Sequence, residues 1–225
     1  MSMSPTLNAL IEPLLHSPRL PEIAEALQVR LRDEAASRSR FYTEMTDAEK
    51  VEFIDGQVLL HSPARNMHLI VQQHIQQLLL NHALIHNLGA VRGEKCLCVF
   101  PRNDYEPDVV FFGQAKAATF TPHTMKFPVP DLAVEVLSES TEHRDRGVKF
   151  DDYAAHGVAE YWIVDPEAEV VEQYLNRDGR FEMNLKSGSG ELTSPTLGGL
   201  TLPLKAFFDP QENLAALQAI VQSRL

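Results

Sequence analysis

The sequence lacks the features that would mark a membrane-spanning or secreted protein. It contains no run of about 18 or more apolar residues, so we expect no transmembrane helix. The chain does not open on a basic segment followed by an apolar core, because Glu12, Pro13 and His16 interrupt the early apolar residues. We therefore expect no signal peptide, a cytoplasmic location and no membrane partner.

Cysteine and positive charge are also scarce. On a strand, Cys96 and Cys98 would point to the same face, too poorly placed for an easy disulfide, so we predict two buried thiols. The 20 Lys and Arg residues are outnumbered by 31 Asp and Glu, which gives a formal net charge of −11. This charge argues against strong non-specific binding to nucleic acid. Clustered carboxylates can nevertheless form a metal site.

The spacing of apolar residues predicts an α/β (α+β) fold with a mixed central sheet flanked by helices. No shift in composition marks a domain boundary. We interpret residues 1–45 as an N-terminal helical extension packed on the core, and residues 46–225 as the main domain. Helices are expected at 6–15, 21–39, from just after Pro63 to about Asn87, at 142–156 and from about Gln211; strands are expected at about 51–54, 57–60, 90–100, 107–112, 131–137, 159–165, 169–175 and 180–186, with Asp55-Gly56 as a hairpin turn.

Local signals refine some of these boundaries. Residues 46–49 have the form of a capping box and predict a short helical turn. Ser140 and Thr141 are residues that can cap the helix expected at 142–156. Residues 113–127 show no clear periodicity and are predicted to be an irregular loop.

Two acidic residues stand in apolar strands. Glu135 lies inside the run 132–137, which has the composition of a strand buried on both faces. A carboxylate there is unfavourable unless it is paired or holds a metal ion. Asp108 begins another apolar strand directly after Pro107. Each acid alone also fits a structural role, as a salt-bridge partner or a turn residue. Two acids on neighbouring strands need a shared cation and favour a site for Mg²⁺ or Mn²⁺.

A lysine follows on the next predicted helix. Asp145, Lys149 and Tyr153 are spaced four residues apart and therefore share one helix face. Taken alone, Asp145 and Lys149 fit an ordinary surface ion pair. Their position shortly after the Glu135 strand makes Lys149 a candidate for the same site.

These segments carry a resemblance to a known group of proteins. The order Asp108, then Glu135, then Lys149 resembles the PD-(D/E)XK nuclease superfamily, and more narrowly the Uma-type family of putative restriction endonucleases. The similarity covers about residues 50–208. Its central block is residues 131–166, and the N-terminal 45 residues lie outside it. The matching segments are Phe53-Ile54-Asp55-Gly56, Ser62-Pro63 with His68, Pro107-Asp108-Val109-Val110, residues 134–141, residues 145–149, Tyr153, Gly157-Val158 and residues 160–166.

The resemblance implies a restriction-endonuclease-like domain over 46–225 with a metal site. It implies that Asp108, Glu135 and the Val136 carbonyl hold Mg²⁺ (or Mn²⁺), and that Lys149 acts with them in catalysis. The superfamily's usual lysine position, two residues after the second acid, holds Leu137 here, so the lysine function falls to Lys149 on the helix. The competing cations are Arg144, Arg146 and Lys126, and Glu52 is the candidate for an additional upstream acid.

The function implied is that of a metal-dependent endonuclease that hydrolyses DNA phosphodiester bonds. The alternative is a catalytically silent binding or assembly module with the same fold, which the negative charge and the missing strand lysine favour. A small-molecule enzyme built on a carboxylate pair has no supporting motif. Because cutting both strands of a duplex usually needs two active sites, a homodimer or higher homo-oligomer is expected.

Overall fold

The computed structural model describes residues 5–46 and 49–223, with the backbone alone for residues 5–7. The helical turn predicted at 46–49 includes residues 47 and 48 and so lies partly outside the described residues. None of the described helices combines the length and the hydropathy that crossing a membrane requires. The helices are α1 (Pro5–Leu15), α2 (Leu20–Glu44), α3 (Asn66–Ile85), α4 (Gln114–Ala117), α5 (Glu142–Asp145), α6 (Val148–Ala155) and α7 (Pro210–Gln222), with a 3-10 turn at Leu204–Phe207.

The strands form two larger sheets and one hairpin. The orders are β11-β10-β9-β8-β6-β3, β2-β1-β5-β4-β7 and β12-β13, in the numbering that follows. The strands are β1 (Val51–Ile54), β2 (Gln57–Leu60), β3 (Gly89–Gly93), β4 (Leu97–Val99), β5 (Asp104–Tyr105), β6 (Val109–Gly113), β7 (Lys126–Phe127), β8 (Leu132–Val136), β9 (Glu160–Asp165), β10 (Val170–Arg177), β11 (Arg180–Ser187), β12 (Glu191–Ser194) and β13 (Leu200–Pro203).

The six-stranded sheet is mixed, because β8 and β9 run parallel whereas their other neighbours run antiparallel. Its two faces belong to different cores, since side chains alternate along each strand. The first face packs on α3, α7 and the β12-β13 hairpin, with Val134 and Trp162 in its centre. The second face packs on the five-stranded sheet and α6, with Ala133 and Tyr161 in its centre. The fold class predicted from the sequence is therefore confirmed.

The predicted hairpin is also present, and its turn chemistry explains it. Asp55 and Gly56 have positive φ angles of 52° and 86°, as a two-residue turn matched to the twist of its strands requires. β1 and β2 pair from Val51 opposite Leu60 to Ile54 opposite Gln57. This turn fixes the position of the residues that flank β1.

The helix expected at 142–156 is broken into α5 and α6, which corrects the sequence prediction. The break falls at Gly147 (φ −118°, ψ −106°), where a Cβ atom would lie 2.7 Å from the backbone oxygen of His143. Thr141 occupies the cap position of α5, but its side chain makes no capping hydrogen bond. The break matters for the site because α6, which begins directly after it, carries Lys149.

Other differences concern short elements that local pattern does not reveal. The stretch predicted as an irregular loop at 113–127 contains α4 and β7, and β12 and β13 were not predicted. Cys96 and Cys98 are buried free thiols, as expected. The helix near the C-terminus begins after Asp209, whose side chain accepts hydrogen bonds from the backbone of Gln211 and Glu212.

The N-terminal helices α1 and α2 precede the hairpin, and α2 is tied to it by charged side chains. The Arg30 guanidinium donates to the Asp55 carbonyl at 2.7 Å. Arg38 pairs with buried Asp104 and also donates to the carbonyls of Phe100 and Asn103. These contacts attach α2 to the five-stranded sheet. The division at residue 45 stays a prediction.

Candidate active site

Asp108 and Glu135 lie opposite each other on one face of the six-stranded sheet. In the β6–β8 ladder Val109 pairs with Val134, so Asp108, one residue before β6, faces Glu135 one position further along β8. Residues directly opposite in a sheet project to the same side. The Val136 N–H also donates to Asp108 Oδ2 at 2.8 Å. The prediction that both acids lie on neighbouring strands is therefore confirmed.

Asp108 has two cationic or potentially cationic neighbours. Lys50 Nζ lies 2.8 Å from Asp108 Oδ1, and His68 Nε2 lies 3.4 Å from the same oxygen. Burial would raise the pKa of Asp108, but Lys50 and His68 outweigh it and hold that pKa well below its usual value. Asp108 is therefore ionised and paired rather than in unrelieved repulsion with Glu135.

Glu135 is held by groups from α6. Lys149 Nζ lies 3.0 Å from Glu135 Oε1, and the Tyr153 hydroxyl donates to the same oxygen at 2.8 Å. Burial nevertheless raises the pKa of Glu135 to about 8, against the attraction of Lys149. The helix face shared by Lys149 and Tyr153 contacts Glu135, whereas among the described residues the lysine paired with Asp108 is Lys50.

Lys149 does not contact Glu135 alone. Its ammonium lies 2.9 Å from Glu52 Oε1 and 3.2 Å from Asp145 Oδ1, and only 2% of its side chain is exposed. Burial lowers the pKa of Lys149, but the surrounding carboxylates raise it well above its ordinary value. The upstream acid that the sequence suggested, Glu52, thus joins the cluster, and its Oε2 lies 3.0 Å from His61 Nε2.

The lysines and carboxylates of the cluster carry more negative than positive charge. Among the described residues, Lys50 contacts one carboxylate and Lys149 contacts three, so four carboxylates surround two ammonium groups. The imidazoles that contact Glu52 and Asp108 add positive charge only when they are protonated. Burial raises the pKa of both Glu135 and Asp145, and neighbouring carboxylates add to this effect. Asp145 Oδ1 is buried without a hydrogen bond, although it lies 3.2 Å from the Lys149 ammonium. Such a site has room in its charge balance for a cation.

Ligand atoms of His68, Glu94 and Asp108 lie within 4.8 Å of one another. Oxygen and imidazole donors at such separations fit a divalent cation, and the histidine favours a transition metal such as Mn²⁺ over Mg²⁺. The donor set of the site therefore fits a divalent metal ion. Sequence reasoning missed Lys50 and Glu94 and left His68 without a role, because each reaches Asp108 only through tertiary packing.

The competing cations contact other groups. Arg146 bridges Glu142 and Glu172, at 2.8 and 2.9 Å. Lys126 Nζ lies 4.2 Å from the centre of the Tyr42 ring. Arg144 has a buried Nε with no hydrogen-bond partner among the described residues. Among the candidates named from the sequence, Lys149 is the cation that contacts Glu135.

A cavity of about 310 Å³ adjoins the cluster. It shares Glu94 with the possible metal ligands and also contains Glu106, whose pKa burial raises to about 7. Its cationic lining residues are Arg92 and Lys95. The cavity provides an open approach beside otherwise buried carboxylates.

This architecture is similar to that of a solved structure. The crystal structure of a putative nuclease of the DUF820 family from Anabaena variabilis matches with a TM-score of 0.63 at 17% identity, over 74% of this chain and 94% of that chain. The chain shares the mixed α/β fold of that protein. The model of the Uma2 family, described as "putative restriction endonuclease", matches residues 39–205, and the chain belongs to that family. A search of curated protein sequences returns no match.

Proposed function

We propose that this chain is a divalent-metal-dependent endonuclease that hydrolyses phosphodiester bonds in DNA. The observation that carries the proposal is the pair of buried carboxylates, Asp108 and Glu135, opposite each other on adjacent strands within a cluster of excess negative charge. Membership in a family described as "putative restriction endonuclease" supports the same reaction class. Mg²⁺ or Mn²⁺ is the cofactor that such oxygen donors fit.

In this proposal Asp108 and Glu135 are metal ligands, with the Val136 carbonyl completing the protein's share of the shell. His68 and Glu94 are additional donors within reach of Asp108. A bound divalent ion supplies an activated water and offsets charge on the scissile phosphate. The net reaction adds water across one P–O ester bond and yields a phosphate monoester and an alcohol.

Lys149 is the third member of the proposed site. Through its contacts with Glu135, Glu52 and Asp145 it keeps a positive charge beside the ligand carboxylate. Tyr153 fixes the same Glu135 oxygen. These contacts from α6 fix the orientation of the Glu135 side chain, so the position of its carboxylate does not depend on a bound metal.

The experiment is incubation of supercoiled plasmid DNA with Mn²⁺ or with a chelator. We expect the protein to give nicked or linear product in the presence of Mn²⁺ and none in the presence of the chelator. Asp108→Ala should lower the rate of cleavage by at least ~100-fold. Glu182→Ala, which removes the same charge from an exposed position on β11, is the matched control and should cut normally.

The outcomes separate the two candidate functions. Absence of Mn²⁺-dependent product from folded wild-type protein would reject the nuclease and favour the silent binding module. Equal cleavage by Asp108→Ala would show that the activity does not come from this site. Parallel assays with single-stranded DNA and RNA substrates define the nucleic acid that is cut.

A further inference from the structure

The two lysines of the site are not equivalent. Lys149 has three carboxylate neighbours, Glu52, Glu135 and Asp145, at 2.9, 3.0 and 3.2 Å. An ammonium group has three N–H donors and no more. One of them donates to Glu135, the ammonium also pairs with the carboxylates of Glu52 and Asp145, and the side chain is 2% exposed. A move toward a substrate phosphate would leave buried carboxylates without their cation.

Lys50 has a different environment. Among the described residues it forms one ion pair, at 2.8 Å with Asp108 Oδ1, and 18% of its side chain is exposed. It directly precedes β1, and its backbone oxygen accepts a hydrogen bond from the His61 N–H at 3.1 Å. Two of its N–H donors remain for another partner, while the hairpin holds its backbone in place.

The contact oxygen links Lys50 to metal binding. Lys50 and His68 both approach Asp108 Oδ1, at 2.8 and 3.4 Å. A divalent ion held by this oxygen would compete with the Lys50 ammonium for the same lone pairs. Because the hairpin holds the Lys50 backbone in place, the displaced ammonium would stay close to Asp108. It would then lie next to the position where a phosphate approaches the site.

We propose that Lys50 is the catalytic lysine that contacts the scissile phosphate, whereas Lys149 is a positioning residue that holds Glu135. This inference rests on the proposed function. In the reaction the Lys50 ammonium donates to a non-bridging phosphate oxygen and stabilises the negative charge that develops there. It keeps its proton throughout. The role differs from that of a metal ligand, because lysine has no acceptor in its charged form.

The first measurement needs no DNA. Mn²⁺ binding is followed by electron paramagnetic resonance of free Mn²⁺ for wild type and Lys50→Met, with Lys205→Met as the control that removes an exposed lysine. We expect Lys50→Met to bind Mn²⁺ roughly three- to tenfold more tightly, because a competing positive charge has been removed. Lys205→Met should bind like wild type.

The second measurement is single-turnover plasmid cleavage at saturating Mn²⁺ and DNA. Lys50→Met should cut ~10²- to 10³-fold more slowly, the range for losing one preorganised charge-stabilising group. Lys50→Arg keeps the charge and should stay within roughly tenfold of wild type. The combination of tighter metal binding with slower cleavage distinguishes a phosphate contact from a structural role.

Three results would overturn the inference. One is cleavage by Lys50→Met at the wild-type rate. Another is unchanged or weaker Mn²⁺ binding in that variant. The third is equal loss of cleavage in Lys50→Arg and Lys50→Met, which would make the residue structural. If wild type itself neither binds Mn²⁺ nor cuts, the proposed function fails first, and the two failures are thereby distinguished.

Discussion

Two of the glutamates buried on the six-stranded sheet lie on opposite faces and are neutralised in different ways. On the first face, Glu160 of β9 accepts hydrogen bonds from Trp162 Nε1 and Gln173 Nε2, both at 2.6 Å, and from Ser194 Oγ at 2.7 Å. On the second face, Glu135 of β8 shares Lys149 with Glu52 and Asp145. Neutral donors satisfy Glu160, whereas Glu135 belongs to a charged cluster with excess negative charge.

The comparison shows that burial of an acid in an apolar strand does not by itself identify a functional site. Glu160 and Glu135 are exposed to 0% and 3%, so exposure does not separate them. The two glutamates differ in their partners. A carboxylate whose oxygens all accept hydrogen bonds from neutral donors has little capacity to bind a cation, whereas Glu135 can still bind one. Variants of the two faces test this difference.

The largest effect is expected for Lys149→Met. Removing the ammonium leaves three buried carboxylates without their shared cation, and breaking a buried pair typically costs about 3–5 kcal/mol. Urea unfolding of metal-free protein at neutral pH measures the change in the free energy of unfolding. Lys205→Met, at an exposed position, should stay within ~0.5 kcal/mol of wild type. A loss below ~1 kcal/mol for Lys149→Met would show that the carboxylates do not depend on it.

The next effect compares Glu160→Gln with Glu135→Gln. The Glu160 amide would place an NH2 group against donor groups, so we expect a loss of about 1–3 kcal/mol. Glu135→Gln keeps an acceptor for Lys149 and Tyr153 and removes one negative charge, so its metal-free stability should stay within ~1 kcal/mol or rise. Thermal unfolding of both variants without metal measures the contrast. The reverse order of stabilities would contradict the difference between the faces.

A smaller effect should appear in the pH dependence of stability. Burial raises the pKa of Glu135 from an ordinary value of 4.5 to about 8, so between these values the folded state binds more protons than the unfolded state. The free energy of unfolding should therefore fall as pH rises from about 5 to about 8 in metal-free protein. Glu135→Gln should reduce this slope, because Glu106 and Asp145, whose pKa values burial also raises, keep part of it. Glu182→Gln at an exposed position should retain the whole slope. An unchanged slope in Glu135→Gln would assign it to those other groups.

Much of the fold follows from local sequence. The apolar runs at β6 and β8 predict buried neighbouring strands, and Asp55-Gly56 predicts the hairpin that the structure contains. Because Asp108 and Glu135 flank or interrupt those apolar runs, their proximity could also be predicted. The shared helix face of Lys149 and Tyr153 followed from helical spacing, although Lys149 lies at the start of α6 and not within one continuous helix.

The remainder depends on contacts between distant segments. Lys50 reaches Asp108 across 58 positions of sequence, and no periodicity marks it. His68 and Glu94 join the same oxygen cluster from a helix and a loop. The break at Gly147 depends on the close approach of the His143 carbonyl, which helix periodicity does not reveal. Local sequence patterns therefore predicted the two acidic residues of the site but not most of the residues that contact them.

The structure also changes what is expected of Asp108→Asn. Repulsion between two carboxylates would make this variant as stable as wild type or slightly more stable. In the structure Asp108 is instead paired with Lys50 and accepts the Val136 N–H. We therefore expect metal-free Asp108→Asn to lose about 1–2 kcal/mol in urea unfolding while remaining folded. A gain in stability would show that repulsion dominates.

The most direct test of the central claim is Mn²⁺ binding by the two faces. Electron paramagnetic resonance of free Mn²⁺ is recorded while wild type, Asp108→Asn and Glu160→Gln are added in turn. We expect that wild type and folded Glu160→Gln deplete the free-ion signal, and that Asp108→Asn leaves it nearly unchanged. An undiminished signal with folded wild type, or equal depletion by Asp108→Asn, would contradict the assignment of a metal site to Asp108 and Glu135.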